Sequence, residues 1–251
     1  MPNLILATTR PGEPEIFHSL QGEGVAAGRP SVFVRLSGCN LRCHWCDTPY
    51  TWNFAGTDYR HRDDRPDAPA KHDRDANRLV WSIVQAADAI RAFDCGNIIF
   101  TGGEPLLQQP ALAALCASLG PAYHIEIESN GTVPLTAGFA PHVDQLNLSP
   151  KLAHSLNFEP GRLKPQVLAA YAKDPRAWFK FVIAAAEDVS EVDALAATIG
   201  IPSDRVLLMP EGVTSAALRK RMAWLAPLCL ERGYRLSDRL HIHLYGDTRG
   251  T

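Results

Sequence analysis

Residues 37–50 read SGCNLRCHWCDTPY and place Cys39, Cys43 and Cys46 in the spacing C-x3-C-x2-C. Iron–sulfur clusters are held by cysteine thiolates, normally about four of them. Three closely spaced ligands leave one iron of a [4Fe–4S] cluster open, and catalytic metal centres keep such an open position for a substrate. The stretch therefore predicts a [4Fe–4S] cluster whose free iron could take the amino and carboxylate groups of S-adenosylmethionine (SAM).

The same cysteines allow a second interpretation. Cys43 and Cys46 alone form a CxxC pair, which fits half of a zinc site or a redox-active dithiol. A structural zinc site would need a second Cys or His pair at compact spacing, and no later pair in the sequence matches. We favour the cluster, with zinc or redox chemistry as the alternative. The separate cysteines Cys95, Cys116 and Cys229 lie in apolar sequence and are predicted to be buried.

Apolar segments alternate with helical segments along most of the chain. Strands are predicted at residues 32–36, 97–101, 124–128, 143–148, 178–183 and 205–209, and helices at residues 77–92, 111–119, 188–199 and 214–232. Pro110 suits the first turn of its helix, and Asp188 and Thr214 are the expected N-caps. Alternation implies a parallel sheet covered by helices, and six strands are too few for a closed eight-stranded barrel. The predicted fold class is α/β, a partial (open) (β/α)6-type barrel.

Length and composition predict one domain, residues 1–251, with a polar insertion at residues 53–77 that we expect to form a loop or lid. The net charge of −2 gives no basic excess for binding nucleic acid. No segment approaches the roughly 18 apolar residues of a membrane span. The N-terminal apolar stretch, about four residues long, is too short for a secretory signal. We expect a soluble, cytoplasmic protein without nucleic-acid or membrane partners.

Polar motifs follow several of the predicted strands. They are Gly102-Gly103-Glu104-Pro105, Glu128 with Ser129-Asn130-Gly131-Thr132, Ser149-Pro150-Lys151, and Met209-Pro210-Glu211-Gly212. Sites in parallel α/β folds form at the carboxyl ends of strands, so these motifs are expected to converge. Glu128 fits a ligand-binding group and a turn residue equally well. Lys180 lies within a strand and faces solvent or a polar interior, because a buried lysine needs a partner.

The three-cysteine loop and the GGEP turn together resemble the radical SAM superfamily. That resemblance implies that Trp45, the aromatic residue before the third cysteine, contacts the adenine of SAM. It also implies that Gly103 and Glu104 hold the amino group of the SAM methionine. The segment EIFHSLQGEG at residues 15–24 is similar to the 7-carboxy-7-deazaguanine synthase family of this superfamily. The likeness extends through TGGEP, ESNGT, SPK, KFVI and HIHLYG, and residues 53–77 match least.

The resemblance implies a reaction and its cofactors. In that family, cluster-bound SAM is cleaved to a 5′-deoxyadenosyl radical, which removes hydrogen from C6 of 6-carboxy-5,6,7,8-tetrahydropterin. Ring contraction with loss of ammonia gives 7-carboxy-7-deazaguanine, a precursor of queuosine and other 7-deazapurines, and SAM is regenerated. A Mg²⁺ ion assists. The cofactors carry the chemistry and the protein positions them, so no side chain is assigned as a further catalytic group.

Site residues follow from the same resemblance, position by position. SAM would contact Trp45, Cys46, Asp47, Gly103, Glu104, Glu128, Ser149, Pro150, Lys151, Lys180, Met209 and Glu211. The pterin would contact Leu20, Gln21, Gly22, Glu23, Arg35, Thr101, His241 and Thr251. Arg35 would pair with the substrate carboxylate, because a guanidinium suits bidentate binding, or would instead form an interior salt bridge. Thr48 would ligate Mg²⁺ through its hydroxyl oxygen, and His243 is expected to be structural.

The resemblance also implies two partners for the chain: a flavodoxin- or ferredoxin-type reductant and a second copy of the chain in a homodimer. Another radical SAM reaction, such as activation of a glycyl-radical enzyme, would share the cluster and the GGEP turn but would not need the EIFHSLQGEG segment. A non-catalytic iron–sulfur or zinc-binding module would need a fourth ligand and would not bind SAM.

Overall fold

The predicted strands belong to an open sheet that is larger than expected. The computed structural model describes residues 2–65, 67 and 70–251, and eleven strands form one sheet in that part of the chain. They are β1 Asn3–Arg10, β2 Glu13–Pro14, β3 Ile16–Leu20, β4 Pro30–Leu36, β5 Arg78–Ser82, β6 Asn97–Gly102, β7 His124–Ser129, β8 Gln145–Leu148, β9 Ala177–Ile183, β10 Val206–Pro210 and β11 Arg235–Leu236. The sheet order is β11-β10-β9-β8-β7-β6-β4-β1-β2, with β3 paired to β4 and β5 to β1.

The central strands β4 and β6 to β10 are the six that the sequence predicts. Every neighbouring pair among them is parallel, with Arg35 of β4 opposite Thr101 of β6 and Lys180 of β9 opposite Leu207 of β10. In a (β/α) barrel the connecting helices cover the outer face of the parallel strands, and the inner face lines the barrel interior. The predicted class, an α/β fold with a partial, open (β/α)6-type barrel, is confirmed. All six carboxyl ends lie at one edge.

The N-terminal segment adds antiparallel strands that the alternation does not predict. β1 pairs antiparallel with β4 and β5, and β3 pairs antiparallel with β4, from Ile16 opposite Val34 to Leu20 opposite Pro30. These strands follow one another without an intervening helix, so a rule based on strand–helix alternation does not detect them. The segment after β3 then reaches β7, where Gln21 Nε2 donates a hydrogen bond to Glu128 Oε1 at 3.1 Å.

The prediction of a helix over residues 77–92 is wrong for its first residues, because the helix begins later in the structure. Residues Arg78–Ser82 form β5, and the helix begins at Ile83. Ser82 and Gln85 close a capping box: Gln85 N donates to Ser82 Oγ at 3.3 Å, and Ser82 N donates to Gln85 Oε1 at 3.0 Å. A capping box defines the first turn of a helix, so the apolar residues before it are free to pair as a strand.

The helices cover the parallel strands. They are α1 Ile83–Arg91, α2 Gln109–Leu119, α3 Glu159–Arg162, α4 Pro165–Ala172, α5 Glu187–Ile199, α6 Ser215–Arg232 and α7 Leu240–Tyr245. Pro110 lies in the first turn of α2 and Thr214 caps α6, as predicted. Asp188 is not an N-cap, because α5 begins one residue earlier, at Glu187. Its carboxylate accepts instead from the main-chain N–H of Ala184 and Ala185, at 2.8 and 2.9 Å.

Burial agrees with most of the remaining expectations. Cys116 and Cys229 are buried as predicted, whereas Cys95 is only half-buried because it lies in the loop before β6. Within the insertion, Asn53, Phe54 and His61 are buried, and the other described residues are half-buried or exposed. No helix in the described part of the chain is both long and apolar enough to cross a membrane.

Candidate active site

A cavity of about 250 Å³ opens at the carboxyl ends of the parallel strands. Arg35 of β4, Thr101 of β6, Glu128 of β7, Lys180 of β9 and Met209 of β10 all line it. Side chains from five strands meet there because parallel pairing brings their carboxyl ends to one edge. The loop with Cys39, Cys43 and Cys46 closes one side of the same cavity.

Each cluster cysteine has an N–H donor at its sulfur atom. Leu41 N donates to Cys39 Sγ at 3.4 Å, Asn157 Nδ2 to Cys43 Sγ at 3.3 Å, and Trp52 Nε1 to Cys46 Sγ at 3.3 Å. Donors aimed at sulfur suit thiolates that bind iron, since hydrogen bonds to the sulfurs are part of an iron–sulfur site. The donor set therefore fits a [4Fe–4S] cluster.

Burial disfavours free thiolates in this loop. It raises the pKa of Cys39 to about 12 and the pKa of Cys46 to about 11, and it raises the pKa of Cys43 as well. Buried cysteines become thiolates when they coordinate a metal, which supplies the compensating charge. In the described part of the chain, His, Cys, Asp and Glu side chains form no group of three around a single metal ion. In a four-iron cluster, each cysteine binds a separate iron.

Two glycines allow the GGEP turn to lie directly against the cysteine loop. Gly102 has φ +127°, and a Cβ there would overlap the main chain of Leu36. A Cβ on Gly103 would overlap the carbonyl group of Gly38. Gly103 N donates to Leu36 O at 3.0 Å, and Glu104 N donates to Gly38 O at 2.9 Å. The turn therefore needs glycine at both positions, and its main chain lies beside the cluster loop.

Glu104 lies behind the cavity wall rather than on it. Its buried carboxylate accepts from Leu106 N at 3.0 Å, Ser129 Oγ at 2.9 Å and Asn130 N at 2.8 Å. Burial raises the pKa of this carboxyl group. With its oxygens engaged by protein donors, Glu104 joins the GGEP turn to the ESNGT turn. Pro150 is likewise buried outside the cavity lining, whereas Ser149 and Lys151 line it.

Trp45 presents its indole ring to the cavity. His154 stacks on the ring with centroids 5.3 Å apart, and Lys151 Nζ lies 5.6 Å from its centroid. Within the described part of the chain, Trp45 Nε1 is buried without a hydrogen-bond partner. An aromatic face with an unpaired donor at its edge suits a planar heterocyclic ligand.

Lys180 and Glu23 form a charged pair inside the barrel. Lys180 Nζ donates to Glu23 Oε2 at 2.5 Å and to Glu128 Oε2 at 2.9 Å. Burial by itself would lower the pKa of Lys180, but the two carboxylates raise it overall. Burial by itself would raise the pKa of Glu23, but Lys180 and Arg239 hold it well below its ordinary value. Both groups are therefore charged, and Lys180 has the partners that a buried lysine needs.

Arg239 extends this charged pair to the cysteine loop. Its guanidinium donates to Glu23 Oε1 at 3.0 Å, to Gly212 O at 2.7 Å and to the carboxylate of Asp47. Burial by itself would raise the pKa of Asp47, but Arg239 lowers it overall. Arg239 belongs to none of the sequence motifs, and the sequence does not predict it as a site residue.

Arg35 makes the interior salt bridge and also borders the cavity. Its Nε donates to Glu15 Oε1 at 2.7 Å. Tyr50 OH donates to the same oxygen at 3.0 Å, and Arg249 Nε lies 3.4 Å from the second oxygen of Glu15. The Arg249 guanidinium also stacks over the Tyr50 ring, 3.5 Å from its centroid. The interior salt bridge of Arg35 is therefore compatible with the predicted contact to a substrate carboxylate. Through Arg249, the same network also holds the segment that contains Thr251.

His241 lies directly against Gly22. Leu240 N donates to Gly22 O at 2.8 Å, which fixes the start of α7 beside the segment after β3. Burial lowers the pKa of His241, which favours its neutral form. His243 contacts Ser215 Oγ at 2.9 Å and Asp238 Oδ1 at 3.1 Å and does not line the cavity.

The insertion reaches the cysteine loop from the other side. His61 Nε2 lies 2.7 Å from Cys46 O, and Arg62 N donates to His44 O at 2.8 Å. Arg62 Nη1 also bonds Glu211 Oε1 at 2.7 Å. The polarity of residues 53–77 predicts only a loop or lid, and their composition gives no sign of these contacts.

The structure brings nearly all predicted site residues to one cavity. Those that line it are Leu20, Gln21, Gly22, Glu23, Arg35, Cys39, Cys43, Trp45, Cys46, Asp47, Thr48, Thr101, Gly103, Glu128, Ser149, Lys151, Lys180, Met209, Glu211, His241 and Thr251. Their separate roles stay predictions. The residues that sequence reasoning missed are Glu15, Trp52, His61, Asn157, Arg239 and Arg249, which act through contacts between distant segments.

Comparisons with known proteins identify the family of the chain. The family model for the radical SAM superfamily matches residues 33–210. A 7-carboxy-7-deazaguanine synthase from Pyrobaculum aerophilum is 37% identical over 97% of this chain and 99% of its own length. One from Halobacterium salinarum is 35% identical over 94% of this chain and 91% of its own. The crystal structure of QueE from Escherichia coli covers 95% of both chains with a TM-score of 0.64 and 26% identity. The chain belongs to the radical SAM superfamily and, within it, to the 7-carboxy-7-deazaguanine synthases.

Proposed function

We propose that this chain converts 6-carboxy-5,6,7,8-tetrahydropterin to 7-carboxy-7-deazaguanine with loss of ammonia, as a step toward queuosine or another 7-deazapurine. The observation that carries the proposal is a single cavity with the three cysteines on one side and buried charges of both signs on the other. Substrate and product differ by one ammonia, so the conversion consumes no net oxidant. This agrees with a SAM that is regenerated in each turnover.

The residues around the cysteines fit SAM and the cluster. When bound, the cluster supplies the electron that cleaves SAM. The main chain of Gly103 and the side chains of Ser149 and Lys151 would bind SAM at the cavity wall, with Trp45 against its adenine. Glu104 contributes by holding the GGEP turn in place, because its carboxylate is already bonded to protein donors.

The opposite wall suits a carboxylated pterin. Arg35 and neutral His241 offer donors to a carboxylate, and Glu15 fixes the guanidinium of Arg35. Gln21, Glu23 and Thr101 offer both donors and acceptors to the polar edge of a heterocycle. Lys180 keeps Glu23 charged and oriented. Orientation of the pterin and exclusion of water are the tasks of these residues, because the radical chemistry needs both.

Magnesium and the macromolecular partners belong to the proposal. Thr48 Oγ1 lies 3.7 Å from Cys46 Sγ on the cavity wall. A hydroxyl there, with substrate oxygens and water, would complete a Mg²⁺ site. We also propose that the chain acts as one domain, as a homodimer, in the cytoplasm, and receives electrons from a flavodoxin- or ferredoxin-type reductant.

An anaerobic assay tests the proposed reaction. Reconstituted protein, SAM, dithionite and Mg²⁺ are mixed with 6-carboxy-5,6,7,8-tetrahydropterin, and the products are identified by mass spectrometry. We expect 7-carboxy-7-deazaguanine without net consumption of SAM. Cleavage of SAM to 5′-deoxyadenosine without that product would keep the radical SAM chemistry and refute the substrate.

A further inference from the structure

Two side-chain N–H groups outside the three-cysteine motif contact the sulfur atoms of its ligands, in addition to the Thr48 hydroxyl 3.7 Å from Cys46 Sγ. Trp52 Nε1 lies 3.3 Å from Cys46 Sγ, and Asn157 Nδ2 lies 3.3 Å from Cys43 Sγ. The donor at Cys39 is the main-chain N–H of Leu41. Two of the three sulfur atoms therefore depend on side-chain donors, which can be changed one at a time.

We propose that Trp52 and Asn157 are positioning residues that raise the reduction potential of the bound cluster. Reduction adds negative charge, part of which is carried by the ligand sulfur atoms. An N–H group aimed at such a sulfur stabilises the more negative state more strongly, so the donor favours reduction. The inference rests on the proposed function only in assuming that the cluster binds, and it needs neither SAM nor pterin.

The orientation of the Asn157 amide is fixed by a second contact. Arg42 N donates to Asn157 Oδ1 at 2.7 Å, and a main-chain N–H can only donate. The oxygen of the amide must therefore face Arg42, which leaves the NH₂ group facing Cys43. Ser155 Oγ accepts from the same nitrogen at 3.2 Å.

Trp52 is held equally firmly. Its side chain is only 4% exposed. Arg42 Cζ lies 5.5 Å above the indole ring, and the ring of His61 meets it edge-on with centroids 6.4 Å apart. His61 in turn contacts Cys46 O at 2.7 Å. The insertion thereby holds Trp52 against the cluster loop, out of water, where a hydrogen bond is electrostatically stronger.

The test is a redox titration of the reconstituted protein, followed by electron paramagnetic resonance, with no SAM or pterin present. Trp52→Phe keeps an aromatic ring and removes the N–H group. Asn157→Asp keeps an acceptor for Arg42 and replaces the donor at Cys43 by an anion. We expect Trp52→Phe to lower the equilibrium constant for reduction roughly tenfold, which is about 59 mV for a one-electron couple. Asn157→Asp should lower it further.

Trp224→Phe is the matched control, because Trp224 packs against the core from α6. We expect it to leave the potential unchanged. Iron content and the thermal midpoint of each variant are measured alongside. The proposal is overturned if Trp52→Phe and Asn157→Asp bind full iron at the wild-type potential, or if Trp224→Phe shifts the potential equally. Loss of the cluster in both variants would also overturn it, since their role would then be to hold the loop. Shifted potentials in a protein that fails to turn over the pterin would refute only the proposed substrate.

Discussion

Substituting Gly22 by alanine should slow turnover by moving His241. An added Cβ would overlap His241 Nδ1 and would lie 2.9 Å from its Cγ and 3.0 Å from its main-chain N, whereas ordinary contacts of a Cβ begin at 3.4 Å. To clear Nδ1 the ring must therefore retreat by more than about 1 Å, and the main-chain N at the start of α7 must give way by a few tenths of an ångström. Gly22 and His241 both line the cavity, so the change displaces two walls of the proposed pterin site.

The magnitude follows from how steeply rates depend on alignment. A misplacement of about 1 Å can cost around a hundredfold in rate. We therefore expect Gly22→Ala to lower kcat/KM for the pterin by roughly ten- to a hundredfold. Iron content should stay at the wild-type value, because the donors at the three cysteine sulfur atoms come from Leu41, Asn157 and Trp52. The assay is anaerobic turnover with varied pterin, together with iron analysis.

Gly138→Ala is the matched control. Gly138 is exposed, has no positive φ, and an added Cβ there would meet nothing within 4 Å. It should turn over at the wild-type rate. In the double variant Gly22→Ala/His241→Ala the clash with the ring is gone and only the contact with the main-chain N remains, so the combined loss should be smaller than the product of the two single losses. Wild-type kcat/KM in Gly22→Ala, or fully additive losses in the double variant, would refute this reasoning.

Three other predictions test separate parts of the site. Cys43→Ala should abolish cluster binding and turnover, whereas Cys116→Ala should leave both intact; equal losses by iron analysis and activity would contradict the ligand assignment. Thr48→Ala should raise the Mg²⁺ concentration for half-maximal turnover roughly tenfold, as loss of a metal contact does, and an unchanged magnesium titration would exclude that role. The pKa of Glu23 is held below its ordinary 4.5. The contribution of its ion pairs to the free energy of unfolding is therefore complete above pH 4.5 and is lost as the pH falls below that value. Urea unfolding of the metal-free protein should therefore show a smaller loss of unfolding free energy below pH 4.5 in Glu23→Gln than in wild type, and identical pH profiles would contradict the pairing.

The fold was predictable where the signal is local. Each central strand is a short apolar run, and the helices between the strands carry apolar residues at helical spacing. The local pattern is therefore sufficient to predict a strand at residues 178–183 and a helix at residues 188–199. The secondary-structure prediction fails where pairing with a distant segment of the chain determines the conformation. Residues Arg78–Ser82 are compatible with a helix, but β1 offers an open edge and the Ser82 cap starts the helix later.

The candidate site was predictable where its residues lie in short motifs with a fixed spacing. Residues such as Cys39 and Gly103 lie in short motifs whose spacing carries the chemistry. Glu104 shows the limit of that reasoning. The motif predicts that its carboxylate reaches a ligand, yet three protein donors already occupy it. A motif specifies which residues stand in the turn, whereas packing decides whether the side chain or the main chain faces the cavity.

Arg239 shows why part of such a site escapes sequence reasoning altogether. It binds Glu23, Asp47 and the carbonyl oxygen of Gly212, which belong to three segments far apart in the chain. No spacing rule connects these positions, because only the path of the folded chain brings them together. A buried arginine without such partners would be strongly destabilising, so its burial requires all of them. The cysteine loop, the segment after β3 and the segment after β10 are therefore held by one guanidinium, and the geometry of the cavity depends on a residue that belongs to none of the motifs.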